Sequence, residues 1–208
     1  MSALARPAAL PAAGAAAIHA DVGRWPVHGP AGPSGLPVPR ERLALRDGRG
    51  VWLRPVQASD AAAERAFFAA LSPDSRRRRF HGAMAQLPMP VARAMTQVDF
   101  RRHVALVAEA TAADGAARLV ADARYVRDDD DEGVAEFAIA VADDWQGIGL
   151  GRSLLQRLGR HARLSGVSTL SGSVLVDNLP MLGLMQAVGA SRLQDPEDAG
   201  LVRIVVAL

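Results

Sequence analysis

The sequence predicts a mixed α/β domain built around a mostly antiparallel sheet. Apolar segments of strand length and of helix length follow one another in the order strand, helices, three strands, helix, strand, helix, strand. The pair Asp114-Gly115 separates two apolar runs, which is a strong hairpin signal. Residues 149–164 place leucines on one side and arginines on another at helical spacing.

These patterns give an expected position to each element. Residues 1–42 are rich in Ala, Pro and Gly and show no sustained periodicity, so we predict a disordered extension there and a folded domain over residues 43–208. Proline, serine and aspartate at the starts of the helical stretches mark their first turns. We expect strands at 50–55, 103–108, 118–126, 134–141, 169–176 and 201–207, and helices at 61–71, 72–79, 88–97, 149–164 and 180–188.

The composition excludes several classes of chemistry. The chain contains no cysteine and no lysine, and its 24 basic residues are all arginine. Disulfides, a cysteine nucleophile, thiolate metal sites, a lysine-containing phosphate loop and Schiff-base catalysis are therefore excluded. The five histidines form no spaced cluster, so we expect no metal. No long apolar run or signal peptide occurs, so we expect a cytoplasmic protein without a membrane partner, either a monomer or a homodimer.

One segment has the chemistry of an anion site. Three glycines alternate with apolar residues between a strand that ends at Val141 and the helix over 149–164. Glycine lets a ligand approach the main chain closely, and the N–H groups and dipole of a helix N-terminus attract phosphate. The spacing does not match the dinucleotide fingerprint. We predict a diphosphate site formed by Gln146, Gly147, Ile148, Gly149, Leu150, Gly151 and Arg152.

The pattern Gln146-x-x-Gly149-x-Gly151 on a strand-to-helix turn resembles the pyrophosphate loop of the GNAT superfamily of N-acetyltransferases. A second segment is similar too, because Asn178 is followed by a leucine and then a glycine at the family's spacing. Segments near residues 71–80, 96–99, 105–108 and 135–138 are similar to bacterial protein-lysine acetyltransferases. The resemblance implies the GNAT fold, with a twisted, mostly antiparallel sheet of about six or seven strands that splays at the coenzyme site, and about four flanking helices.

The resemblance also implies site residues and a co-substrate. Acetyl-CoA would bind through the loop, through Asn178 and through the main chain of Ile139 and Val141. Glu136 aligns with the carboxylate that acts as general base in many relatives, and the neighbouring alanines at 138 and 140 would leave space beside it for an amine or a water. Where many relatives have a tyrosine that protonates the leaving thiolate, this chain has Met185, so no acid is assigned.

These features lead to a preferred function and to alternatives. We expect transfer of an acetyl group from acetyl-CoA to a primary amine, with a protein lysine as the favoured acceptor. A small amine or amino acid is the alternative acceptor, and a non-catalytic acyl-CoA-binding regulatory module is the alternative function. The arginines at 76–79 lack an array of stacking aromatic residues, so we interpret them as a solvated or structural helix face and expect no nucleic-acid partner.

Overall fold

The computed structural model describes residues 38–82, 84–112 and 115–208. The predicted extension therefore lies almost entirely outside the described residues. Within them, the strands are β1 (Glu41–Ala44), β2 (Gly50–Pro55), β3 (His103–Thr111), β4 (Ala117–Arg127), β5 (Val134–Val141), β6 (Thr169–Leu175), β7 (Ser191–Gln194) and β8 (Leu201–Ala207). The α-helices are α1 (Ala61–Ala70), α2 (Pro73–Phe80), α3 (Met89–Thr96), α4 (Leu150–Leu164) and α5 (Leu179–Ala187).

The described strands form one sheet in the order β1-β2-β3-β4-β5-β6-β8-β7. Only the β5–β6 pair is parallel, which confirms the expected mixed fold with a mostly antiparallel sheet. The described residues contain eight strands and five α-helices. These five helices correspond to the five helical stretches expected from the sequence, whereas the resemblance implied about four helices, and six or seven strands were expected. The two additional strands, β1 and β7, have four residues each and lie at or near the ends of the sheet, where alternation is too short to predict a strand.

Helices cover both faces of the sheet. Helices α1 and α2 pack on β4 and β5 from one side, with α3 against α1. Helix α4 packs on β4 and β5 from the other side, where its His161 contacts Tyr125. Arg124 and Tyr125 are neighbours on β4, so their side chains point to opposite faces. Arg124 and its partner Glu64 on α1 therefore define the face that also carries Glu136.

The parallel pair of strands at the centre of the sheet is short. Strands β5 and β6 are paired only at Val134, Ala135 and Glu136 of β5, opposite residues 169–171. Beyond Glu136 the two strands diverge, although β5 stays paired with β4 as far as Val141. The sheet thus opens into a V whose apex lies at Glu136, as expected for the splayed sheet.

Candidate functional site

A cavity of about 460 Å³ occupies the opening between the diverging strands. Its walls are the ends of β5 and β6, the loop before α4, and residues of α2 and α5. Its lining residues are Arg46, Leu71, Ser75, Arg78, Arg79, Phe137, Ala138, Ile139, Ala140, Val141, Gln146, Gly147, Gly149, Gly151, Arg152, Gly172, Ser173, Val174, Asn178, Pro180, Met181, Gly183, Leu184 and Ala187.

Most of the site residues predicted from the sequence meet at this cavity. Those in its lining are Ile139, Val141, Gln146, Gly147, Gly149, Gly151, Arg152 and Asn178. Three predicted residues are outside the lining. Leu150 is 1% exposed and its side chain belongs to the core, and Ile148 packs against that core while its carbonyl accepts from the Arg46 N–H at 3.4 Å. Glu136 is 6% exposed and lies at the apex of the V.

The loop before α4 has the main-chain conformation that its glycines permit. Gly147 and Gly149 adopt φ values of +74° and +97°, a left-handed region that other residues rarely enter. The first hydrogen bond of the helical pattern runs from the Ser153 N–H to the Gly149 carbonyl, at 3.0 Å. The N–H groups of the residues between them belong to the first turn, which has no intrahelical partner for them. They form the anion-attracting end of the helix beside the cavity.

The main chain of β5 presents alternate residues to the cavity. The Ala142 N–H donates to the Val120 carbonyl at 2.8 Å, so Ala142 faces β4. Because main-chain groups alternate in direction along a strand, Val141 and Ile139 face away from β4, toward the cavity. The Gln146 side chain donates to the Val141 carbonyl at 3.0 Å and lies 3.3 Å from the Ser75 hydroxyl. Gln146 thus joins the loop to both β5 and α2.

The charged side chains in the lining are all arginines, namely Arg46, Arg78, Arg79 and Arg152. The sequence analysis assigned a role in ligand binding only to Arg152. Arg46 belongs to the turn between β1 and β2, and its Nε would lie 3.6 Å from a Cβ placed on Gly149. No local pattern in the sequence marks Arg46, because it reaches the loop through the pairing of a strand that was not predicted. The three of these cations that remain accessible, Arg46, Arg78 and Arg152, make the cavity suitable for a polyanionic ligand.

The Asp143 carboxylate accepts three hydrogen bonds from the start of α2. Asp143 accepts from the Ser72 main-chain N–H at 2.9 Å, from the Ser72 hydroxyl at 2.8 Å and from the Ser75 hydroxyl at 2.7 Å. Partial burial opposes ionisation of Asp143, but these donors outweigh it and lower its pKa. The carboxylate is therefore ionised at neutral pH and holds the N-terminus of α2 against the cavity.

The four arginines of α2 do not share one environment. Arg77 and Arg78 form surface ion pairs with Asp74 at 3.2 and 2.6 Å, and Arg76 donates to the Ala85 carbonyl. Arg79 is 4% exposed, because the last turn of α2 turns it toward the sheet. We interpreted all four from the sequence as a solvated or structural face, but Arg78 and Arg79 line the cavity and Arg79 is buried, which only tertiary contacts reveal.

A cluster of buried charges lies behind the cavity on the Glu136 face of the sheet. Arg124 donates to both oxygens of Asp122, at 3.0 and 2.5 Å, and lies 3.8 Å from Glu64. Arg79 lies 4.0 Å from Asp122. Burial, and then repulsion from Asp122, raises the pKa of Glu64 to about 8. Burial also lowers the pKa of Arg79, to about 10, so Arg79 remains a cation at neutral pH.

Asn178 is placed at the start of α5, where its side-chain oxygen accepts from the Met181 N–H at 3.3 Å. This bond caps the helix and fixes one side of the cavity mouth.

Across residues 38–82, 84–112 and 115–208, no group of three or more His, Asp or Glu side chains is arranged to hold a metal ion. Every helix in that part of the chain is too short or too polar to cross a membrane.

The family model described as the Acetyltransferase (GNAT) family matches residues 77–190, more than half of the 208 residues. The chain belongs to the GNAT acetyltransferase family. It is 33% identical to the acetyltransferase PA5475 of Pseudomonas aeruginosa over 156 residues, which cover 75% of this chain and 83% of the relative. It is also 31% identical to the acetyltransferase Pat of Mycolicibacterium smegmatis over 79% of this chain and 50% of that protein, so it spans about half of Pat.

Solved structures agree with this assignment. The GNAT domain of S. lividans PAT superposes with a TM-score of 0.73 and 27% identity, covering 81% of this chain and 97% of that domain. The fold is shared with yncA of Salmonella typhimurium, a structure with its cofactor acetyl-CoA, at a TM-score of 0.57 and 20% identity over 76% of this chain and 94% of the other. As a GNAT acetyltransferase, the chain is an acyltransferase.

The structure shows the surroundings of Met185, which stands where many GNAT relatives have a tyrosine. Met185 on α5 is fully buried in the core. The only tyrosine of the chain, Tyr125, is also fully buried, and it lies on the α4 face of the sheet, 3.0 Å from a ring nitrogen of His161. Tyr125 is therefore on the opposite face from Glu136 and does not substitute for the missing acid.

Proposed function

We propose that this GNAT chain transfers an acetyl group from acetyl-CoA to a primary amine, and that the favoured acceptor is a protein lysine side chain. The observation that carries the proposal is the cavity at the splay of β5 and β6, which combines a helix N-terminus with a lining whose charged side chains are all arginines. Coenzyme A carries about four negative charges at neutral pH, on one diphosphate and one phosphate monoester. The accessible arginines of the lining, Arg46, Arg78 and Arg152, complement this charge.

The parts of acetyl-CoA fit successive parts of the cavity. The diphosphate would accept hydrogen bonds from the main-chain amides of the loop from Gly147 to Arg152. The pantetheine arm would add to β5 as a short strand, using the main chain of Ile139 and Val141 that faces away from β4. The thioester would then lie deeper in the V, toward Glu136.

Glu136 is the proposed general base. An alkylammonium acceptor must lose a proton before its nitrogen can attack the thioester carbonyl, and a carboxylate at the apex of the V is suited to take it, directly or through one water. Attack forms the C–N bond, and collapse of the tetrahedral intermediate breaks the C–S bond and releases coenzyme A as a thiolate. With Met185 at the family's tyrosine position, that thiolate would take its proton from solvent.

A direct assay tests the proposal. Free thiol release from acetyl-CoA would be followed with Nα-acetyl-lysine, lysine-containing peptides, free amino acids and small polyamines as acceptors. Acetylation of lysines in the natural proteome, with and without this protein, identifies a protein acceptor. Turnover that depends on a lysine side chain supports the proposal, whereas turnover only with small amines favours the alternative acceptor. Tight coenzyme binding without turnover on any amine or protein would favour a regulatory acyl-CoA-binding module.

The role of Glu136 is tested by Glu136→Gln. This change keeps the size of the side chain and removes its basicity, so kcat should fall by more than about tenfold with little change in acetyl-CoA affinity. Glu132→Gln, on the exposed turn between β4 and β5, is the matched control and should match the wild type. Unchanged turnover of Glu136→Gln across pH would remove the assignment.

A further inference from the structure

Arg79 lies in a wall between the proposed acetyl-CoA cavity and the buried charged cluster. Leu71, Arg79 and Ala140 line both the main cavity and a second, buried void of about 10 Å³. Glu64 and Asp122 line that void from the other side. The void is close to the smallest volume that holds one water. One face of Arg79 is thus directed to the proposed reaction site and the other to buried carboxylates.

The register of β4 and β5 explains how an arginine reaches this position. Ala140 lies opposite Asp122, Ala138 opposite Arg124, and Glu136 opposite Val126. These residues share one face of the sheet. The two alanines leave space above β5, and Arg79 of α2 lines the same cavity as both of them, so the space that the sequence suggested for an amine or a water is bordered by Arg79. Glu136 lies on the same face, about 7 Å along the strand from Ala138.

The charges on this face bring Arg79 into electrostatic interaction with both Asp122 and Glu136. The groups that face it are Glu64 from α1, Arg79 from α2, His103 from β3, Asp122 and Arg124 from β4, and Glu136 from β5. Arg124 and Asp122 neutralise each other through two short hydrogen bonds. Burial keeps Glu64 protonated at neutral pH. Attraction to Asp122 and, more weakly, to Glu136 favours the Arg79 cation, so Glu136 is one of the carboxylates with which Arg79 interacts electrostatically.

We propose that Arg79 is a positioning residue for acetyl transfer, which keeps Glu136 ionised and holds its carboxylate at the apex of the V. This inference rests on the proposed role of Glu136 as the base. Burying a single charge without a counter-charge is costly, so a cation in the adjacent wall stabilises the carboxylate that must accept the proton. Arg79 would do this without binding acetyl-CoA or the acceptor.

The test is the pH dependence of kcat/KM. Removing the cation in Arg79→Met makes the ionised carboxylate less favourable, so the acidic limb of the profile should move to higher pH by about one unit or more. The KM for acetyl-CoA should stay within about twofold. Arg79→Lys, which keeps the charge, should retain an acidic limb close to that of the wild type. Arg77→Met removes an exposed cation from the same helix and is the matched control.

Each contrary result has a distinct meaning. An unmoved acidic limb with a lower rate would overturn the proposal and leave Arg79 a purely structural role. A raised KM for acetyl-CoA with an unchanged limb would overturn it in favour of a coenzyme ligand. Absence of wild-type turnover on every acceptor would refute the proposed function itself, before any variant is compared.

A stability measurement covers the case in which Arg79→Met folds poorly. If the two charges compensate each other, adding Glu136→Gln to Arg79→Met removes the charge left uncompensated. The double variant should then unfold at a higher urea concentration than Arg79→Met alone. A double variant that is no more stable than Arg79→Met would show that the two side chains are independent, and would overturn the proposal.

Discussion

Gly149→Ala tests the conformation of the loop before α4. Gly149 has a φ of +97°, and a Cβ at this position would make only ordinary contact, at 3.6 Å from the Arg46 side chain. The substitution therefore acts through the main chain and not through a clash. Gly166 provides a matched control at the other end of the same helix, because it has a φ of +90° and no atom within 4 Å of an added Cβ.

The expected magnitude follows from the left-handed conformation. An L-residue there costs roughly 1–2 kcal/mol, and the stiffer unfolded chain returns about 0.4–1 kcal/mol, so a variant that keeps the turn should lose about 1 kcal/mol of unfolding free energy. Only Gly149 shapes the proposed diphosphate site. If the Gly149→Ala loop relaxes in the free protein, that variant loses less stability, and acetyl-CoA must restore the left-handed turn on binding, which weakens affinity by about 5- to 30-fold.

Two measurements separate these effects. Urea unfolding without ligand should show a loss of about 1 kcal/mol for Gly166→Ala and a smaller loss for Gly149→Ala. Calorimetric titration with acetyl-CoA should show weaker binding for Gly149→Ala alone. Equal acetyl-CoA affinities in the two variants and the wild type, together with a smaller stability loss in Gly149→Ala than in Gly166→Ala, would refute the proposed part of the loop in binding the coenzyme.

Two further predictions concern charged residues. Arg46→Met should weaken acetyl-CoA binding by about three- to tenfold at low salt, and by less at high salt because Arg46 is exposed. Arg42→Met, on the same hairpin, is the control and should bind acetyl-CoA as the wild type does. Equal affinity of the two variants would contradict a contact between Arg46 and a phosphate. Glu64→Gln should remove a pH dependence of stability. Because the pKa of Glu64 is raised to about 8, the protonated side chain stabilises the fold fully below about pH 4.5. The free energy of unfolding of the wild type then falls as pH rises to 8, by at most about 5 kcal/mol. Urea unfolding at pH 5.5 and 8 checks this, and parallel changes in wild type and variant would contradict it.

The segment from β5 to α4 was predictable because its signals are local. A strand of alternating residues, three glycines and a leucine-rich helical face each occur within a few positions of one another. The structure has β5 at Val134–Val141 as predicted and α4 at Leu150–Leu164, within one residue of the prediction. Leu150 was grouped with the loop, yet the helical period turns its side chain into the core.

Other parts of the site depend on distant contacts that no local pattern contains. Arg46 reaches Gly149 across about a hundred residues of sequence, through a hairpin whose first strand is only four residues long. Glu41 and Arg42, which we assigned to the extension, pair with β2 in that strand. Arg79 lies in a run of four arginines that is typical of a solvated helix, and only the packing of α2 on β5 shows that it is buried.

Calorimetric titration of the folded protein with acetyl-CoA, alongside acetyl-pantetheine, tests the central claim most directly. Acetyl-pantetheine lacks the diphosphate and the phosphate monoester but keeps the thioester and the arm that would pair with β5. The account predicts saturable binding of acetyl-CoA at one site per chain, and affinity for acetyl-pantetheine that is weaker by at least about a hundredfold. Equal affinity for the two compounds, or no binding of acetyl-CoA, would contradict it.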